Sequence, residues 1–124
     1  MREWSVDEAN AALERVHALV ERIRDLMSEA RERAAKVGEN GHATTNGHRE
    51  GGPLDTQVQS LLAELDGDGI VLRDVERGLV DFHAVAPSGR DYWLCWIVDE
   101  PAVAWWHWPE DGFAGRQPLT KPPA

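Results

Sequence analysis

A chain of 124 residues is long enough for one domain with one core, which in that size class buries roughly two-thirds of its unfolded surface. With 22 acidic against 13 basic residues and a net charge of −9, it lacks the cationic excess that neutralises phosphates, so nucleic acid is not an expected partner. No run approaches the roughly 18 apolar residues of a membrane helix, and MREWSVDEAN carries acids where a signal peptide has its apolar stretch, so no membrane partner and a cytoplasmic location are expected. A single cysteine, Cys95, permits no internal disulfide and suits a reducing compartment.

Ser5 stands three residues before Glu8, the spacing at which a hydroxyl and a carboxylate each satisfy a free amide at a helix start. Asp7 and Glu8 also suit the positive end of that helix. Beyond the cap, Ala9, Leu13, Val16, Val20, Ile23, Met27, Ala30, Ala34 and Val37 recur at alternating gaps of four and three, a heptad seam that Leu19 and Leu26 widen. A first helix is therefore expected from about Val6 to Val37. Its far half carries alanines in the seam, which suits close packing on another helix, and a second copy of the chain is a candidate for that role.

From Gly38 to Gly52 no apolar residue is larger than Ala, so residues 38–52 read as a mobile loop in which His42 and His48 are solvated and have no role. Pro53 suits a first helical turn, and Leu54, Val58, Leu61, Leu62 and Leu65 share a face before Gly67 and Gly69. A second helix, Pro53 to Leu65, closes an antiparallel hairpin.

Past Gly69 the hydrophobic period becomes that of strands. Ile70 to Leu72, Leu79 to Val85, Asp91 to Val98 and Ala102 to Trp108 are the expected strands, with turns at Pro87-Ser88-Gly89 and Asp99-Glu100-Pro101. Residues 1–124 thus read as a single α+β domain. A long N-terminal helical hairpin, about 5–66, packs on a three- to four-stranded antiparallel meander that with its tail spans about 70–119. The end, 120–124, is expected to be disordered.

Between Arg77 and Pro118 lie eight of the nine aromatic residues, Cys95, and two of the five histidines, so any site belongs here. Pairing Val98 with Val103 across the turn would set Trp96 opposite Trp105 and Leu94 opposite His107 on one face. Trp93, Cys95, Ile97, Ala104, Trp106 and Trp108 would occupy the other. Both faces are aromatic; the helices cover one, and the other is a candidate interaction surface. In the strand at 79–85, Asp81 and His83 alternate with Val80, Phe82 and Ala84. Whether Asp81 and His83 share a face with His107 depends on the register across Pro87-Ser88-Gly89, which a shift of one residue reverses.

Asp81, His83 and His107, with Glu100 or Glu110, are nitrogen and oxygen donors suited to a divalent metal. Cys95, mid-strand among apolar neighbours, reads as a buried, inert thiol. Asp81 would otherwise take backbone amides or Arg77 as partners. Arg116 would pair with Glu100, Glu110 or Asp111, or clamp an anion. No HExxH, paired CxxC or Gly-rich phosphate loop dictates a reaction.

The segments WSVDEANAAL, ERGLVDF, YWLCWIVDEPAVAWWH and DGFAGRQPL, in that order, resemble a bacterial family of uncharacterised proteins, domain of unknown function 2203. The resemblance covers most of the chain outside the 38–52 loop and implies no activity. It places weight on Gly78, Asp81, Cys95, Trp96, Glu100, Trp106, His107, Gly112, Gly115 and Arg116. His83 departs from the pattern, which leaves Asp81, Glu100 and His107 as the metal set.

Two functions are compatible with these features. One is a non-catalytic module that binds a protein partner or forms a homodimer through its seam and tryptophan-rich face. The other is a small metal- or anion-binding protein, enzymatic or not. There Asp81, Glu100 and His107 hold a divalent metal, Arg116, Trp105 and Trp96 contact a ligand, and His107 is the candidate acid or base.

Overall fold

A computed structural model of the chain describes residues 1–39 and 53–124. The mobile-loop expectation for 38–52, including His42 and His48, falls outside the described residues except at Gly38 and Glu39, which end the first helix.

Helix α1, Val6–Glu39, starts at the expected cap. Glu8 N donates to Ser5 Oγ at 3.1 Å while Ser5 N donates to Glu8 Oε1 at 2.9 Å. Hydrogen bonding to Ser5 holds the Glu8 carboxyl below its ordinary pKa. The near half of the seam is core: Ala9, Val16, Val20, Ile23 and Leu26 are buried, whereas Ala34 is exposed. Helix α2, Pro53–Gly67, lies along α1 and against the first strand, with Val58 and Leu65 buried.

The sheet runs β1 (Ile70–Asp74), β2 (Leu79–Val85), β3 (Asp91–Ile97), β4 (Trp105–His107) and β5 (Gln117–Pro118). Neighbours in sequence are neighbours in space, and every pair is antiparallel. The meander is therefore as expected, with β5 added from a tail whose glycines and proline concealed it. Val80, Phe82, Ala84, Leu94, Trp96 and Trp106 share one core cluster with the buried face of α1, so the hairpin covers a single face of an open sheet. No helix among the described residues is long and apolar enough to cross a membrane.

The β3–β4 register differs from expectation. Cys95, not Trp96, lies opposite Trp105, and Trp93, not Leu94, lies opposite His107. Val98 and Val103 do not pair because each end of that turn is held elsewhere. Glu100 N donates to Ile97 O at 2.8 Å, Ile97 N donates to Glu100 Oε1 at 2.9 Å, and Val103 N donates to Asn10 Oδ1 at 2.8 Å on α1. β4 consequently begins only at Trp105, one residue out of the expected phase. Between β2 and β3, His83 pairs with Trp93 and Asp81 with Cys95. The β2–β3 register, which the sequence leaves open, and the β3–β4 slip together place Asp81 and His107 on the outer face. They also bring Cys95 onto it and send Leu94 and Trp96 to the core.

Both chain ends are tied to the body. Trp4, buried, donates through its main-chain N to His83 O and through Nε1 to Asp68 O, each at 2.8 Å. At the other end the residues 120–124, expected to be disordered, are held: Trp106 Nε1 donates to Lys121 O at 2.9 Å and Pro123 is buried.

Candidate metal centre on the outer sheet face

A row of side chains crosses the uncovered face: Val71 on β1, Asp81 on β2, Cys95 on β3 and Trp105 on β4. Alternation puts His107, two residues beyond Trp105, on the same side. Asp81, Cys95 and His107 offer one donor atom each, all within 4.8 Å of one another. They are nearly inaccessible, at 2%, 0% and 3% exposure.

The hydrogen bonds favour one charge state. His107 Nδ1 lies 2.9 Å from Trp108 O, and Nε2 lies 3.0 Å from Asp81 Oδ2. Each ring nitrogen faces an oxygen, an arrangement that suits a doubly protonated imidazole beside the Asp81 carboxylate. Burial acts to lower the His107 pKa, but the hydrogen bonds to Asp81 and the Trp108 carbonyl and the Asp81 charge together raise it above the usual 6.5. Arg73 Nε also donates to Asp81 Oδ2, at 3.0 Å. Asp81 Oδ1, by contrast, is buried without a hydrogen-bond partner. An unpaired buried carboxylate oxygen is costly and calls for an explanation.

Cys95 is held as a thiol. Burial pushes its pKa up to about 12, the Asp81 charge adds to this, and Arg116 only partly offsets it. Both ring nitrogens of His107 are engaged elsewhere, by Trp108 O and Asp81 Oδ2, and neither is bonded to the thiol. The cluster is therefore not a thiol–imidazole nucleophile, which needs base and sulfur in contact.

Around this centre stand cations stacked on rings. Arg116 donates to both Glu100 oxygens, at 3.2 and 2.9 Å, and its Nη1 reaches Cys95 Sγ at 3.9 Å. Its guanidinium carbon lies 4.7 Å from the Trp105 ring and 4.6 Å from Phe113. The Arg73 guanidinium sits 4.8 Å from the Trp93 ring.

The expected site residues thus fall into three groups. Asp81 and His107 come together, with Cys95 completing the set in which Glu100 was expected. Glu100, Arg116 and Trp105 form an adjoining unit. Trp96 lies on the core face, where Nε1 donates to Glu100 O and the ring meets His17 edge-on, so it does not reach the outer surface. His83 shares the outer face but contacts Arg2 O at 3.0 Å and Asp91 Oδ1 at 2.9 Å, outside the donor set. Glu110 pairs with Arg90, and Arg77 pairs with Asp74 rather than Asp81. Arg73 is not marked in the sequence, because the apolar run that signals β1 stops at Leu72 while the strand continues to Asp74. The signal for Cys95 was its two-residue spacing from Trp93, which is usable only once the register is known.

Fold and site together define an α+β domain in which a helical hairpin covers one face of an open five-stranded sheet and a buried Asp-Cys-His cluster occupies the other. No curated protein and no solved structure matches the chain. Residues 2–119 match the family described as uncharacterized conserved protein DUF2203, and the chain belongs to that family.

Proposed function

We propose that the protein binds a divalent transition-metal ion of the zinc type through Asp81, Cys95 and His107. The observation that carries this reading is the unpartnered, buried Asp81 Oδ1, in a cluster whose oxygen, sulfur and nitrogen donors converge. The hydrogen bond from His107 Nδ1 to the Trp108 carbonyl is the support that metal-bound histidines use, leaving Nε2 for the ion. A thiolate and an imidazole in one set favour zinc or cobalt over magnesium or calcium. The neighbouring arginines do not forbid the ion. One dication replaces the Nε2 proton of His107 and the thiol proton of Cys95, so the charge of the cluster is unchanged. Three protein ligands leave one tetrahedral position for water or an anion, and Arg116 beside the sulfur supplies a positive flank for the latter.

Tag-free protein stripped by a chelator and reloaded is expected to hold about one equivalent of zinc or cobalt by mass spectrometry. Cobalt should give a thiolate charge-transfer band, with affinity rising as pH rises because two protons leave. Cys95→Ser should lose that band and His107→Ala should lose the metal, while Glu100→Gln should keep both. Absence of metal under every loading condition ends the reading.

Self-association is a second reading, favoured by a groove of about 400 Å³ lined by Met27, Ala30 and Ala34 of the seam with Leu54, Val58 and Leu62 of α2. A second copy laid into it would cover apolar surface that the hairpin leaves open. Sedimentation over a concentration series should then show a dimer; a monomer at every concentration removes it.

A further inference from the structure

We infer that Arg73 is the gate of this centre: its guanidinium holds Asp81 in the ion-free protein and swings aside to admit the metal. The inference rests on the metal reading above and adds the route by which an ion reaches donors that are buried.

At 0–3% exposure, none of the three donors can meet an ion unless a neighbour moves. Three groups outside the donor set make polar contacts to them. The Trp108 carbonyl is main chain and moves only with the end of β4. Arg116 is pinned by two hydrogen bonds to Glu100 and by the rings of Trp105 and Phe113, and its side chain is 17% exposed. Arg73 is held to the donor set by Nε alone, and its side chain is 43% exposed. Of the two arginines it is the more exposed and the less restrained.

Its position is built into the strand. The β1–β2 register runs regularly to Leu72 opposite Val80 and then jumps to Asp74 opposite Leu79, so Arg73 is the extra residue of a β-bulge. Bulges re-aim a side chain, and this one directs a cation onto Asp81. The guanidinium takes Oδ2 and leaves Oδ1 open. An incoming dication and the guanidinium repel each other while competing for one carboxylate, so entry of the ion and departure of Arg73 are a single event. The Trp93 face beneath the guanidinium supports it as it slides outward.

The test is the rate of cobalt loading into chelator-stripped protein, followed by the thiolate charge-transfer band in a stopped-flow mixer. Arg73→Gln keeps a donor without the charge, and Arg73→Ala removes both. Each is expected to load roughly ten- to hundred-fold faster than the wild type, since a hydrogen bond between charged groups no longer has to break. Arg77→Ala, which removes an arginine not bonded to Asp81, should load at the wild-type rate. Equal rates in the wild type and both Arg73 variants overturn the gate and leave the metal reading standing. Loading of the variants but not the wild type supports a gate that stays shut. If neither the wild type nor either variant takes cobalt, the metal reading fails and the gate with it.

Discussion

Replacing Asp81 by Asn lowers the unfolding free energy of the ion-free protein by about 3–5 kcal/mol, the cost of removing one partner from a buried ion pair. The carboxylate compensates two cations at once, the imidazolium of His107 and the guanidinium of Arg73, both on Oδ2. An amide of the same shape can still accept both bonds through its one oxygen but carries no charge to compensate either cation. His107 then sheds its Nε2 proton, which limits the loss but does not cancel it. The pH profile provides a second readout. A histidine whose folded pKa is raised contributes stability that is complete below its unfolded value and is lost as pH rises through the folded one. His107 is such a group, so the wild type should lose stability from about 6.5 upward, while Asp81→Asn should be flat there. Urea unfolding at a series of pH values measures both. A loss under about 1 kcal/mol would place the pair among ion pairs of no consequence to the fold.

Gly69→Ala is expected to cost about 2–4 kcal/mol, and Gly67→Ala in the same turn almost nothing. Gly69 has φ +74°, where a Cβ carries a steric penalty. That Cβ would stand 2.6 Å from the main-chain oxygen of Arg2, which cannot rotate away as a side chain does. The N-terminal arm must shift instead. It carries Trp4, whose ring packs edge-on against Phe82 at 5.3 Å and whose Nε1 is bonded to Asp68 O. A Cβ at Gly67 meets no atom within 4 Å. Thermal unfolding compares the two variants, and limited proteolysis should cut the arm faster in Gly69→Ala alone. Equal melting temperatures would mean that the arm does not sit against Gly69.

The hairpin and the meander were legible in the chain because each is written in short-range features. The Ser5 and Glu8 box, the three-four spacing from Ala9 and the alternation from Leu79 to Val85 depend on residues within a few positions of one another. The region of the Asp-Cys-His cluster was legible too, since polar and aromatic residues crowd between Arg77 and Pro118. Asp81 and His107 could be named as partners on the chemistry of their side chains.

By itself, then, the sequence determined the fold class, both helices and the order of the main strands, and it singled out two members of the Asp-Cys-His cluster. Only the tertiary structure decided which residues share the outer face. A strand alternates with period two, so one residue of slip exchanges its faces, and the β3–β4 slip is set by residues outside those two strands. Val103 is held by Asn10, 93 residues away on α1, and the Glu100 carboxylate folds back onto the Ile97 amide and across to Arg116. These contacts put Cys95 with Asp81 and His107, gave Glu100 to Arg116 and sent Trp96 to the core. The bulge that places Arg73 over Asp81 is likewise a property of two paired strands, which neither strand carries alone.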